Sequence, residues 1–188
     1  MIVATSAGPH LFWITSRAAG TAALLLSSAA VCAGLLMGGR FVKRRGYDLR
    51  VTHEALSLAT MAAIVVHALS LIGDHFLHPS LLDVTVPFVS GYKSFWTSMG
   101  IVAGWSLIAL GLSYYVRDKI GSQRWRKVHR FTALAWILGL AHSLGEGTDA
   151  GTEWFLAMTA VAVLPPLILL LVRTLAGPRA QRAGAPAA

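Results

Sequence analysis

Long apolar runs constrain the fold of this chain more than any other feature. Of its 188 residues, 55% are hydrophobic and 13% are charged, whereas a soluble domain has about 25% charged residues. A helix needs about 20 apolar residues to cross a bilayer. We therefore predict an all-α integral membrane bundle of about five transmembrane helices, or six, from five runs: Ala18–Gly39, Ala55–Gly73, Phe95–Val116, about Phe131–Gly145 and Trp154–Val172. The fourth run is short and needs His129 and Arg130 to reach full length.

The basic residues lie almost entirely on one side of this predicted bundle. All of the 16 Lys and Arg except Arg17 and Lys93 fall between the first two runs, between or at the third and fourth, or after the fifth. The positive-inside rule places that side in the cytoplasm, with the N-terminus outside and the C-terminus inside the cell membrane. Residues 1–14 are then an outer segment, 15–175 the membrane domain and 176–188 a disordered cytoplasmic tail. Because membrane orientation accounts for the net charge of +8, we expect no nucleic-acid partner.

Four histidines in or beside two of these runs are the candidate ligands. His53 and His67 are fourteen residues apart, and His129 and His142 are thirteen apart. Ionisable groups in membrane spans are costly and mark functional sites. Since both runs cross in the same direction, His53 and His129 (the inner pair) share one depth and His67 and His142 (the outer pair) share the other. At about 100° per residue, His67 returns to within about 40° of His53, whereas His142 lies about 140° from His129. An ideal straight helix would therefore not point His129 and His142 towards the same side of the bundle.

Each pair has the chemistry of two axial ligands to one haem iron. Four histidines without cysteines or a carboxylate cluster do not suit an iron–sulfur cluster or a hard cation, and no C-x-x-C-H is present. We predict two non-covalent haems b that serve electron transfer, since their irons have no open position. Trp136, halfway between His129 and His142, is either an apolar bridge between the haems or a packing residue. The candidate cations for the propionates are Arg50 and Arg130 at the inner mouth and Arg17 and Lys93 at the outer mouth.

With these histidines the chain resembles the ferric reductase-like transmembrane domain family, which includes NADPH oxidases, ferric-chelate reductases and the haem subunit of a bacterial methionine sulfoxide repair system. The resemblance rests on spacings of fourteen and thirteen, on two spans separated by one other, and covers about residues 14–173. It implies bis-histidine haems b at His53 with His129 and at His67 with His142. Many members have six spans, and the larger ones continue into a domain that binds FAD and NADPH. The 188 residues contain no G-x-G-x-x-G, so we expect a separate electron donor.

Composition and histidine pattern together predict a dihaem cytochrome b that transfers electrons across the cytoplasmic membrane. We expect a separate flavoprotein or a quinol as cytoplasmic donor, and ferric iron, oxygen or a partner protein as outer acceptor. The alternative is a non-haem transporter or metal-ion-binding membrane protein, which would need carboxylates in its spans, where Glu54 at the inner mouth is the candidate. A structural role for the histidines, a weak outer site at His75 and His78, and the oligomeric state also remain open.

Overall fold

Helices make up the regular secondary structure of the residues that the computed structural model describes, which are 10–38, 46–74 and 76–175. The predicted all-α class is therefore confirmed for these ranges. In chain order the helices are α1 Leu11–Gly38, α2 Gly46–Ile72, α3 Leu81–Thr85, α4 Ser94–Leu112, α5 Arg117–Ile120, α6 Ser122–His129, α7 Thr132–Glu146 and α8 Glu153–Leu175. A short 3-10 helix, Ser113–Val116, joins α4 to α5.

Two helices begin earlier than their apolar runs predict. α1 starts at Leu11, inside the predicted outer segment 1–14, and α2 starts at Gly46, nine residues before Ala55. His53, which precedes the predicted run, consequently lies inside α2, seven residues after its first residue. Polar residues can extend a helix beyond its apolar stretch, because the backbone hydrogen bonds do not depend on hydropathy. The predicted tail 176–188 and the first nine residues lie outside the described residues.

Four helices in the described ranges are long and apolar enough to cross a membrane: Leu11–Gly38, Asp48–Ile72, Ser94–Ile120 and Glu153–Leu175. Large apolar side chains are exposed on their outward faces, for example Leu58 and Val66 on α2 and Val161 and Ile168 on α8. Soluble monomers rarely expose such extended apolar surface, whereas lipid tails would cover it. These helices therefore indicate a membrane protein.

The predicted fourth run is divided in the structure. α6 ends at His129, and α7 begins at Thr132 after a turn at Arg130 and Phe131. Phe131 N donates to Val128 O at 3.0 Å, and Thr132 Oγ1 donates to His129 O at 2.7 Å. The prediction that His129 and Arg130 extend the fourth run as one helix is wrong, because the backbone bonds from Phe131 N to Val128 O and from Ala133 N to Arg130 O tighten the chain there. α7 alone has 15 residues, or about 22 Å of helix.

α1 is the central helix of the bundle. It packs along α2 and also contacts α7 and α8, while α4 packs on α7. Small buried residues on these helices, such as Ala33, Ala103 and Ala135, allow the close approach. Among the described residues, α2 and α7 make little direct contact with each other. The α1–α2 pair and the α4–α7 pair therefore face each other across a cleft.

The connection between α2 and α4 folds back on the bundle, as its prolines and apolar residues would favour. Its short helix α3 begins with a capping box between Ser80 and Asp83. Trp105 Nε1 donates to Thr85 O at 2.9 Å, and Phe88 N donates to Ser98 Oγ at 2.7 Å. These bonds fix the connection against α4. We call this end of the bundle the loop end, and the opposite end, with α5 and α6, the basic end.

Candidate functional site

The four predicted ligand residues come together as two pairs of rings. In the inner pair, the ring centres of His53 and His129 are 6.2 Å apart and the ring planes lie at 86°. In the outer pair, His67 and His142 are 6.3 Å apart at 72°. The tight turn between α6 and α7 changes the direction of the His129 side chain relative to that of His142, because a turn with three residues per revolution departs from the 3.6 residues of an α-helix. The thirteen-residue spacing can therefore match the fourteen-residue spacing on α2.

Backbone carbonyls orient three of the four rings. The distances from Nδ1 to oxygen are 2.8 Å for His53 to Ala30, 2.8 Å for His67 to Ser16 and 2.9 Å for His142 to Trp96. A carbonyl oxygen only accepts hydrogen bonds, so Nδ1 carries a proton in each ring, and in the neutral imidazole the lone pair is then on Nε2. Histidines that bind metals almost always donate their other ring N–H in this way.

His129 is held differently from the other three histidines. Its Nδ1 is buried and has no hydrogen-bond partner within the described residues. The indole of Trp125 stacks on its ring instead, with ring centres 4.7 Å apart and planes at 25°. The inner pair therefore combines one ring fixed by a carbonyl and one fixed by an aromatic neighbour.

Glycines on the neighbouring helices make room for the histidine rings. A Cβ atom would lie 3.0 Å from His67 Nδ1 if added to Gly20, 3.2 Å from His53 Cε1 if added to Gly34, and 2.6 Å from His142 Nδ1 if added to Gly100. Gly20 and Gly34 are fourteen residues apart, as are the two histidines on α2, because α1 runs antiparallel beside it. Sequence reasoning missed these site residues, although the repeated spacing could have identified them.

A cavity of about 610 Å³ lies in the cleft and reaches the outer pair. Its volume falls within the range of about 300–1,000 Å³ that is typical of ligand pockets. Apolar side chains form most of its wall, and polar groups such as Arg17, Tyr92 and Glu146 line it towards the loop end. His67 and His142 belong to the wall, whereas the inner pair does not. The outer pair therefore opens on a space large enough for a sizeable, mainly apolar ligand.

The two predicted outer cations already have partners in the structure. Arg17 lines the cavity, forms an ion pair with Asp149 and lies 4.3 Å over the ring of Trp13. Lys93 Nζ donates to Gly145 O at 3.1 Å. The two predicted inner cations, Arg50 and Arg130, are exposed at the basic end.

Trp136 occupies the middle of the bundle between the two pairs. Its side chain is only 1% exposed, and Nε1 donates to Ser28 Oγ on α1 at 3.0 Å. The same residue lines the cavity. Trp136 thus packs α7 against α1, which is one of its two predicted roles, and it also forms part of the wall between the inner and outer pairs.

A metal site built from protein ligands alone is absent from the part of the chain that is described. No group of three or more His, Cys, Asp or Glu comes together there. His78 lines the cavity at the loop end, and His75 lies outside the described residues. Within these ranges, each histidine pair therefore has no third such side chain beside it.

Comparisons of the chain with protein-family models, with curated proteins and with solved structures give no match. The case for a functional site therefore rests on the geometry of the two histidine pairs and their surroundings.

Proposed function

We propose that this protein is a dihaem cytochrome b that carries electrons across a membrane. The observation that supports the proposal best is the matched geometry of the inner and outer pairs. Imidazole nitrogens bind first-row metals at about 2.0–2.1 Å, so two rings on opposite sides of one ion have centres about 6 Å apart. The observed separations are 6.2 and 6.3 Å. One such pair could be an ordinary edge-to-face contact, but two pairs at two depths, with carbonyl-bound Nδ1 atoms, favour ligation.

The number of protein ligands also favours haem over a simple metal ion. In the described residues neither pair gains a third His, Cys, Asp or Glu. A metal ion held by side chains usually needs three or four of them, so the bound group itself must fill the other coordination positions. A haem would do this with its own ring nitrogens, would be held by the two histidines of a pair, and would supply a one-electron carrier.

The surroundings of the outer pair fit a flat, mainly apolar group with acidic edges. At the outer pair, the cavity provides the space and Gly100 keeps the approach to His142 clear. Arg17 and Lys93 would be the cations for propionates there. The propionates would compete with Asp149 for Arg17 and with the Gly145 carbonyl for Lys93. At the inner pair, the exposed Arg50 and Arg130 would take that role.

The depth of the two pairs suits transfer across a bilayer. His53 and His67 are fourteen residues apart on α2, which is about 21 Å of helix, out of a hydrocarbon core of about 30 Å. Two carriers at these depths divide the crossing into shorter steps. Trp136 and Ser28, hydrogen-bonded across the cleft, fill the middle with packed protein and exclude water from it.

The proposal includes an orientation and partners. The basic end faces the cytoplasm, α6 and α7 together make a fifth crossing, and the membrane is the cytoplasmic one. A separate flavoprotein or a quinol donates electrons at that end, and ferric iron, oxygen or a partner protein accepts them at the loop end. In the ferric reductase-like family that the chain resembles, electrons likewise enter from the cytoplasmic side and leave on the outer side.

Vesicles test the proposed function. We expect the purified full chain, reconstituted into lipid vesicles with trapped ferricyanide, to transfer electrons from dithionite added outside, measured as loss of ferricyanide absorbance. A His67→Ala variant, which lacks the outer site, should be no faster than protein-free vesicles. His10→Ala is the matched control, because His10 is exposed and belongs to neither pair; it should behave as wild type. Wild-type vesicles that are no faster than protein-free ones would contradict the proposal.

A further inference from the structure

The two candidate iron sites differ at one ring. His53, His67 and His142 each donate Nδ1–H to a carbonyl oxygen. Nδ1 of His129 has no such partner within the described ranges, and the Leu110 carbonyl near this ring accepts a hydrogen bond from Ser113 Oγ at 2.6 Å. The plane of the His129 ring therefore depends on a contact other than an Nδ1 hydrogen bond of this kind.

Trp125 makes that contact. It precedes His129 by four residues on α6, so the two side chains lie on the same helix face, and their rings stack at 4.7 Å and 25°. The indole is itself fixed by the segment that follows α4. Trp125 Nε1 donates to Ser113 Oγ at 3.1 Å, and the ring of Tyr114 lies 5.9 Å away. Arg117 in turn lies 4.2 Å over Tyr114.

We infer that Trp125 is a positioning residue that sets the plane of His129 and, through it, the reduction potential of the inner site. The inference rests on the proposed function, because it requires an iron between His53 and His129. Trp125 acts through His129 and is not itself a ligand. Ser113 supports the same geometry, since its hydroxyl holds the indole from the 3-10 helix that follows α4.

The same asymmetry ranks the two sites by potential. An imidazole that donates Nδ1–H to a carbonyl is a more basic ligand, and a more basic ligand stabilises ferric over ferrous iron. The outer pair has two such imidazoles and the inner pair has one. The exposed cations of α6, namely Arg124, Arg126 and Lys127, also favour the less positive ferrous state nearby. The inner site therefore has the higher reduction potential.

The test uses a background in which the inner site is the only one left. In His142→Ala protein, Trp125→Ala, Trp125→Phe and Ser113→Ala are compared by redox titration and by the low-spin ferric EPR spectrum, which depends on the angle between the two axial imidazole planes. Trp125→Ala should lower the midpoint potential by about 59 mV or more, equal to tenfold in the ratio of ferric to ferrous affinity, because water enters and accepts the Nδ1–H. Trp125→Phe keeps a stacking ring and Ser113→Ala keeps the indole, so both should give smaller changes in the same direction.

Trp154→Phe is the matched control, because Trp154 lies at the opposite end of the bundle and its ring contact is with Phe155; it should change neither the potential nor the EPR spectrum. If Trp125→Ala loses its haem, the potentials and EPR spectra of Trp125→Phe and Ser113→Ala test the positioning role instead. The positioning role is overturned if haem is retained and none of the three variants moves the potential or the EPR spectrum. The ranking is overturned if the outer site, measured alone in His53→Ala protein, has the higher potential. If the wild-type protein contains no haem, the proposed function itself is contradicted, and not only the role of Trp125.

Discussion

Replacing His67 or His142 with alanine should halve the haem content and spare the inner site. Each residue supplies one of the two rings of the outer pair, which are 6.3 Å apart, so the loss of either leaves an iron with one protein ligand. The inner pair draws on His53 and His129 and is untouched. Haem per chain, measured by extraction, should fall from two to one, and the remaining low-spin EPR signal should be the same in both variants.

The converse variants and two double variants test the pairing itself. His53→Ala and His129→Ala should each leave the other low-spin signal. His67→Ala with His142→Ala should lose no more haem than either change alone, whereas His53→Ala with His67→Ala should lose both haems. His10→Ala should keep both. The pairing would be wrong if His67→Ala and His142→Ala removed different signals.

Replacing Gly100 with valine should weaken haem binding at the outer pair by at least about tenfold, which is about 1.4 kcal/mol. A Cβ at this position would lie 2.6 Å from Nδ1 and 2.7 Å from Cε1 of His142. The ring cannot move away without losing its hydrogen bond to Trp96 O, which is 2.9 Å long and comes from the same helix as Gly100. Haem titration into apoprotein, followed at the Soret band, measures the change.

Gly151→Val is the matched control for that experiment. No described atom lies within 4 Å of a Cβ built on Gly151, and Gly151 does not line the cavity, so the same side chain should leave both affinities at the wild-type value. Gly100→Val should also leave the inner site unchanged, which separates local displacement of His142 from a general loss of folding. Full occupancy of the outer site in Gly100→Val would show that the ring does not need its position beside this glycine.

The apolar runs and the positions of the histidines predicted much of the fold. Four runs correspond to helices that can cross a membrane, and fourteen residues on one helix predict that His53 and His67 share a face. The division at Arg130 and Phe131 could not be predicted, because neither glycine nor proline marks it and the turn depends on local hydrogen bonds. That turn removes the objection that thirteen residues would point His142 away from the direction of His129.

Less of the surroundings of the site could be predicted. The fourteen-residue repeat of Gly20 and Gly34, and Trp125 four residues before His129, are both visible in the sequence. Their meaning depends on which helix lies beside which. The contacts of Arg17 with Asp149 and of Trp136 with Ser28 join residues more than a hundred positions apart, and no local pattern specifies such pairs.

Haem content of the purified full chain, expressed with ample haem, decides whether the histidine pairs bind iron. Extraction of haem, together with the dithionite-reduced minus oxidised absorption spectrum, should give two haems b per chain, both low-spin and both reducible. A protein that folds into membranes but contains no haem would contradict the account. One haem per chain would also contradict it, because the inner and outer pairs have the same ring separation and each should hold its own iron.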